Sequence, residues 1–278
     1  MKIKNKPLVS VVIPTYNSEK TMTKCLESIK NQTYKHIEII VVDNNSTDVT
    51  KDIARRYCDK LINQSGGMGV QINKGVSESK GEFVAFFDDD MYLGMKVIEE
   101  CVDKYKQGCD AVVIPEKTLH NSFWAKVRDA EKKFYARDYD IEAARFYRRS
   151  VFLDVGGINE NLKGFRDFDI HQKVKRTQHM IDRIDTPLVH DVDPDIGSIL
   201  RKRFVRGESF LAYASEHPHH AIKIMVRLPL IKGTIKLFAR DPALSLGLVV
   251  LKFGEYLASG FGLVVSKIRR KKGARVSR

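Results

Sequence analysis

Along the first third of the chain, short unbroken apolar runs alternate with segments of helical spacing. Leu8 to Ile13 is apolar, rich in β-branched residues and closed by Pro14, the pattern of a strand buried on both faces. Ser18 to Lys30 puts Met22, Leu26 and Ile29 on one helical stripe, with Ser18 suited to an N-cap. Ile37 to Val42 predicts a second buried strand that ends on Asp43-Asn44-Asn45-Ser46, and Thr47 to Tyr57 predicts a helix. Leu61 to Ile62 reads as a short third strand, Gly66-Gly67-Met68-Gly69 as a flexible loop and Val70 to Ser79 as a helix. Phe83 to Phe87 is a fourth strand running into Asp88-Asp89-Asp90.

Strands alternating with helices imply right-handed crossovers and a parallel sheet covered on both faces. Ligands of such sheets bind beyond the carboxyl ends of the strands. Those ends are Pro14-Thr15-Tyr16-Asn17, Asp43-Asn44-Asn45 and Asp88-Asp89-Asp90. Three adjacent carboxylates repel one another unless a cation neutralises them. Alternate residues at a strand end point the same way, so Asp88 and Asp90 are placed to share one ion while Asp89 faces elsewhere. Hard oxygen ligands without cysteine suit Mg²⁺ or Mn²⁺, ions that take further ligands from water and substrate phosphate.

The net charge of +13 changes the picture only through its distribution. Residues 1–200 hold 31 basic and 31 acidic side chains, whereas residues 201–278 hold 17 basic and 4 acidic, so the tail carries the whole excess. Beside apolar runs, such a tail fits an anionic membrane surface and argues against nucleic acid as a partner. Ile222 to Ala239 interleaves apolar residues with Lys223, Arg227, Lys232 and Lys236, a pair of basic amphipathic helices broken at Pro229. Ala243 to Ile268 exceeds the roughly 20 residues that span a bilayer. Lys252 and Glu255 interrupt it, three apart and able to pair on one face. Helices lying on or dipping into the membrane are therefore expected, with a helical subdomain packed on the catalytic part as the alternative. Cys25, Cys58, Cys101 and Cys109 are scattered without a C-x-x-C pair, which suits a reducing compartment. Residues Met1 to Pro7 lack a signal-peptide pattern, so the cytoplasmic face of the membrane is the expected location.

Val11-Val12-Ile13-Pro14-Thr15-Tyr16-Asn17, Val41-Val42-Asp43-Asn44-Asn45-Ser46-Thr47-Asp48 and Lys80-Gly81-Glu82 through Asp88-Asp89-Asp90 resemble successive signatures of the family 2 glycosyltransferases. Gly156-Gly157-Ile158-Asn159-Glu160-Asn161-Leu162 and Phe165-Arg166-Asp167-Phe168-Asp169-Ile170 continue the resemblance, which covers about residues 7–210. It implies the GT-A fold, an α/β nucleotide-diphospho-sugar transferase architecture with a mostly parallel central sheet flanked by helices. Residues 1–210 would form the catalytic domain, with a donor-binding half over about 7–115 and an acceptor-binding half over about 116–210. Residues 211–278 would form a basic, apolar, membrane-associated helical extension.

The resemblance further implies that Pro14, Thr15, Tyr16, Asn17, Asp43, Asn45, Ser46, Lys74 and Asp89 contact the donor. Asp88 and Asp90 would be the D-x-D pair that holds Mg²⁺ or Mn²⁺ on its diphosphate, with His190 completing the metal or phosphate site or else serving structure. The family pattern on the acceptor side is Glu-Asp-x-Asp, with the first Asp as catalytic base; here Arg166 stands at the Glu position, which removes one carboxylate. Asp167 is the first choice for the base and Asp169 the second, although an Asp at a helix start also suits the macrodipole. Arg203 and Arg206 could bring cations to the diphosphate or lie on a solvated helix face. Trp124 could face the acceptor or anchor a core.

The implied reaction is a metal-dependent, inverting transfer from a nucleotide sugar to a hydroxyl or phosphate of a lipid-linked or glycan acceptor. A polyprenyl-phosphate sugar synthase is the alternative within the class, and an inactive nucleotide-sugar-binding scaffold the alternative outside it. A nucleotidyltransferase would want a Gly-rich basic loop after the first strand, where Pro14-Thr15-Tyr16-Asn17 stands. A dehydrogenase would want G-x-G-x-x-G there.

Overall fold

The apolar runs form strands because β-branched residues fit a pleated surface buried on both sides. The computed structural model describes residues 6–119, 122–190, 195–226 and 228–276, the side chains of residues 228, 229 and 270–276 excepted. The chain divides into two units: Met1–Lys117, Glu142–Glu160 and Ile170–Asp191 in the first, and Thr118–Ile141, Asn161–Asp169 and Val192–Arg278 in the second.

The chain begins with β1 (Val9–Thr15), α1 (Met22–Lys30), β2 (Ile37–Asp43), α2 (Thr50–Tyr57), β3 (Lys60–Asn63), α3 (Met68–Ser77) and β4 (Phe83–Phe86). It continues through β5 (Met91–Leu93), α4 (Val97–Lys106), β6 (Ala111–Val113) and β7 (Glu116–Thr118), then α5 (Phe123–Tyr135) of the second unit. Next come β8 (Ala144–Arg148), α6 (Arg149–Asp154), α7 (Arg166–Arg176), β9 (Ile181–Arg183) and β10 (Leu188–His190). The last helices, α8 (Ile196–Glu216), α9 (Pro218–Val226), α10 (Leu228–Phe238) and α11 (Pro242–Val276), belong to the second unit.

In the first unit, seven strands form a sheet in the order β3-β2-β1-β4-β8-β6-β9. β1 lies parallel between β2 and β4, with Thr15 opposite Asp43 and Val12 opposite Phe86. This register brings the carboxyl ends of all three strands side by side. The sheet is mostly parallel, with β8 running antiparallel to both of its neighbours, β4 and β6. A smaller sheet in the order β5-β10-β7 pairs His190 with Met91.

Three local expectations are corrected. Pro14 does not close the first strand but lies inside β1. Even-numbered residues of β1 face β4, whose ladder ends where Phe87 N–H meets the Val12 carbonyl, so a missing N–H at Pro14 costs no bond. Ser18 is not the N-cap of α1, which starts at Met22 behind Thr21; the Ser18 hydroxyl is engaged by Asp89 instead. Met68 and Gly69, expected in a loop, form the first turn of α3.

In the second unit α11 packs on α8, α10 and α5 around Val127, Tyr135, Ile199, Leu230, Leu248 and Leu251. A Cβ added at Gly207 would lie 2.1 Å from the Ser259 carbonyl oxygen, and one at Gly262 would lie 2.0 Å from that of Phe204. Only glycine permits this approach of α8 to α11. Lys252 and Glu255 are buried and paired with each other, and the cluster takes in Glu131, Arg128 and Arg203. The opposite face of α11 exposes Val249, Phe253, Phe261 and Val264. Pro242–Arg269, with a mean hydropathy of 1.6 in its most apolar window, is the one helix among the described residues long and apolar enough to cross a membrane. Pro229 lies in the first turn of α10, where a missing N–H is harmless. Arg227 and the side chains of Arg270, Lys271 and Lys272 lie outside the described residues.

Candidate functional site

The strand ends of the first unit are tied to each other by side chains that the sequence placed there. Asp43, wholly buried at the end of β2, accepts the Ser46 N–H on Oδ2 at 2.8 Å. Its Oδ1 is buried and has no hydrogen-bond partner among the described residues. Ser46 Oγ accepts the Asn17 N–H at 2.8 Å, and Asn17 Oδ1 accepts the Thr47 N–H at 2.9 Å. Asn17 and Asn45 both have left-handed backbone, φ 50° and 58°, a conformation asparagine tolerates better than most residues. Asn45 Nδ2 donates to Ser65. Tyr16 is exposed beside this network and Thr15 is buried within it. Gln71, absent from the sequence-level candidates, donates its amide to the carbonyls of Thr15 and Val42 at 3.0 and 2.6 Å. Its signal was a polar residue on the buried stripe of α3, beside Ile72, Gly75 and Val76.

The three aspartates follow β4 in a turn in which the Asp88 carbonyl accepts the Met91 N–H. Burial pushes the Asp89 carboxyl above its ordinary range; hydrogen bonds from Ser18 and Thr15 oppose the shift, and the charges of Asp90 and Asp88 add to it. Asp90 has a different neighbour. The pairing of β10 with β5 sets His190 Nε2 3.0 Å from Asp90 Oδ1, outside hydrogen-bond geometry. A carboxylate oxygen and an imidazole nitrogen that converge in this way are a donor set suited to Mn²⁺ or Mg²⁺ with substrate oxygens added. Among the described residues, the three-ligand group whose atoms all come within 4.8 Å is Asp169, Glu216 and His217, in the second unit. Lys74, expected at the donor, forms an ion pair with Glu78 at 2.8 Å. Lys60 first, and then Lys74, lowers the Glu78 carboxyl to about 2.

The remaining sequence-level candidates lie in the second unit. Phe165, just before α7, has φ 65°, a strained value for a bulky residue. Its ring is held by stacking on Tyr213, with centroids 4.8 Å apart. Asp167 and Asp169 then fall in the first turn of α7. Asp167 keeps partial exposure, with Arg166 Nε 3.6 Å from its Oδ1. Asp169 is fully buried, and its Oδ1 accepts from His217 Nε2 at 2.7 Å. His217 was not among the sequence-level candidates, since nothing in the spacing of α7 and α8 announces the pair. Arg203 donates toward Glu255 at 2.8 Å, and Arg206 lies over the Phe165 ring. Trp124 packs beside the helical core, edge-on to Phe123.

Comparison with known proteins identifies the family and the fold. A family model described as glycosyl transferase family 2 matches residues 10–160. The protein EpsH of Bacillus subtilis is 29% identical over 208 residues, covering 66% of this chain and 60% of the relative. A Campylobacter jejuni protein named GalNAc(5)-diNAcBac-PP-undecaprenol beta-1,3-glucosyltransferase is 31% identical over 146 residues, 48% of this chain and 47% of its own length. The chain thus spans about half to three fifths of these curated relatives. The mannosyltransferase PcManGT of Pyrobaculum calidifontis, solved with GDP-Man and Mn²⁺, superposes with a TM-score of 0.65 at 16% identity, over 96% of this chain and 87% of that one. It shares the GT-A fold.

Proposed function

The chain belongs to glycosyl transferase family 2, and from that premise we propose that it moves a sugar from a nucleotide-sugar donor to a lipid-linked or glycan acceptor, with inversion. One observation carries the donor half: β2 and β4 end on either side of β1, the first with the unfilled acceptor Asp43 Oδ1, the second leading to Asp90, which converges with His190 of the smaller sheet. Asp43 Oδ1 would accept from the donor's base or ribose, and Tyr16 offers an exposed ring beside it. Pro14, Thr15, Asn17, Asn45 and Ser46 shape that edge of the site, and Asp89 fixes the first loop through Ser18.

Asp88, Asp90 and His190 would hold a divalent cation, Mg²⁺ or Mn²⁺, which when bound offsets negative charge on the departing diphosphate. The presence of Mn²⁺ in the PcManGT complex supports this choice. Asp167 serves as the base: its carboxylate takes the proton of the acceptor hydroxyl as that oxygen attacks the anomeric carbon opposite the leaving nucleotide. A single displacement of this kind inverts the anomeric centre. Asp169 is the weaker candidate, because one of its oxygens is committed to His217.

The acceptor reading rests on two supports: the undecaprenol in the Campylobacter relative's name, and the exposed apolar face of α11 in a tail with 17 basic and 4 acidic residues. Such a face suits the cytoplasmic surface of an anionic membrane.

Screening nucleotide sugars with Mn²⁺ for a rise in thermal stability, followed by turnover assays, tests the proposal. A matching donor should raise Tm and be consumed. Undiminished turnover in the Asp88→Ala, Asp90→Ala double variant would sink the metal assignment. Binding without turnover on any acceptor would favour a scaffold, the reading to which Arg166 points.

A further inference from the structure

Within the second unit, α11 has two faces of different chemistry. Its inner face packs on α8, α10 and α5 and buries Leu248, Leu251, Lys252, Glu255 and Ser266. Its outer face is apolar: Leu246, Val249, Phe253, Leu257, Phe261 and Val264 recur at helical spacing, each at least half exposed. α10, tied to α11 by the bond from Ser245 Oγ to the Thr234 carbonyl, adds exposed Ile231, Ile235 and Phe238 at steps of four and three. Single exposed apolar residues are ordinary on a protein surface, but a continuous stripe of them marks a contact.

The charge beside these stripes has one sign. Lys232 and Lys236 flank the apolar residues of α10, Arg240 follows that helix, and Lys267 stands near the far end of the α11 stripe, all four exposed. Glu255, the one acid in the sequences of α10 and α11, is buried. A second copy of the chain docked here would bring cations toward cations, with no carboxylate from either helix to meet them. Anionic lipid head groups supply the opposite charge, and acyl chains the partner for the apolar stripe.

We infer that α10 and α11 lie in the plane of an anionic membrane surface, with their apolar stripes among the acyl chains, and that α11 does not cross the bilayer. Length does not decide this, since Leu246 to Ile268 rise about 33 Å at about 1.5 Å per residue, enough to cross. The inner face decides it. A crossing α11 would have to leave α8, and Lys252 and Glu255 would then meet hydrocarbon away from Glu131, Arg203 and Arg128. Ionised groups are costly in lipid. The close approach of α8 at Gly207 and Gly262 would be lost as well. An in-plane helix keeps these contacts and exchanges only the water on its outer face. This seat rests on the transferase reading in one respect only, that the acceptor is held at the same lipid surface.

Flotation of the full chain with vesicles tests it, using phosphatidylcholine alone and equal parts of phosphatidylcholine and phosphatidylglycerol. The mixed vesicles should bind at least tenfold more tightly, and alkaline carbonate should release the bound chain. The triple variant Lys232→Gln, Lys236→Gln, Arg240→Gln should lose that preference, since each cation near an anionic surface contributes about fivefold. Phe253→Glu with Phe261→Glu should weaken binding tenfold or more at an unchanged melting curve, because both positions are exposed. A membrane-impermeant maleimide added outside the vesicles should label both Ala243→Cys and Lys267→Cys, made in a Cys58→Ser background whose other cysteines are buried. Protection of either site, or retention in carbonate, would mean a crossing helix and overturn the in-plane assignment. No vesicle binding, equal binding to both vesicles, or full binding by the Phe253→Glu, Phe261→Glu variant would overturn the membrane face. A dimer in sedimentation velocity that this variant dissolves would give the face to a second copy instead. Nucleotide-sugar binding with Mn²⁺ is measured on the same samples. Its failure beside intact vesicle binding counts against the donor reading alone, and the reverse pattern against the membrane face alone.

Discussion

Asp169 and His217 hold each other in the interior of the second unit, Oδ1 to Nε2 at 2.7 Å, with both side chains shut off from solvent. An ionised carboxylate accepts only, so the imidazole donates through Nε2. Removing one member strands the other in a medium that solvates charge poorly, at a cost of roughly 3–5 kcal/mol for a buried pair. Asp169→Ala and His217→Ala should therefore lose several degrees of Tm and unfold at lower urea. Asp167→Asn should leave the unfolding curve in place and lower turnover by about 10²–10⁴-fold, the range of a general base. Normal turnover in Asp167→Asn would remove it from the role of base.

Ser18 is expected to matter for the donor rather than for its helix. Its hydroxyl donates to Asp89, a carboxyl whose burial already works against its charge. A hydrogen bond to a charged group contributes about 1.5–3 kcal/mol. In Ser18→Ala the Asp89 side chain should shift, and the dissociation constant for the nucleotide sugar with Mn²⁺ should rise about tenfold by that energy scale. An N-cap role would instead lower helix stability and leave donor affinity alone. Calorimetric titration together with a melting curve separates the two.

Sequence periodicity located β1, β2, β4 and their carboxyl ends because strands buried on both faces are read directly from unbroken apolar runs. It mistook Ser18 for a cap because a cap and a loop hydroxyl look alike until the carboxylate it meets is placed, 71 positions away along the chain. Gln71 was hidden for a similar reason: its partners are backbone carbonyls of two other strands, and carbonyls carry no sequence mark. The antiparallel β8 was not legible because its partners β4 and β6 are separated from it along the chain, beyond the reach of local patterning. His190 was legible as a candidate, but its meeting with Asp90 required the register of β10 on β5. The pairing of Lys252 with Glu255 was legible, since a spacing of three places both on one helical face.

His190→Ala gives a direct reading of the cation. If the imidazole is a ligand, the Mn²⁺ concentration for half-maximal turnover should rise at least about tenfold, the scale on which metal sites respond to lost support. Nucleoside binding in the presence of EDTA should not change, because Asp43 and Asn17 are held by the Ser46 and Thr47 N–H groups and not by His190. An unchanged Mn²⁺ requirement would leave His190 as a structural neighbour of Asp90.

The glycines of α8 and α11 fall into two kinds, which the sign of a single substitution tells apart. At Gly207 and Gly262 an added methyl would stand 2.1 and 2.0 Å from backbone carbonyl oxygens of the facing helix, which cannot rotate away. Gly207→Ala and Gly262→Ala must push the helices apart, and overpacking of this kind costs roughly 1–3 kcal/mol. At Gly260 the methyl meets open space, and exchanging a helical glycine for alanine at an unstrained position stabilises by roughly 0.4–1 kcal/mol, chiefly by restricting the unfolded chain. Urea unfolding of the three variants should place Gly260→Ala above the natural chain and the other two below it. A fall in stability for Gly260→Ala would mean that its surroundings are filled, against the open space found there.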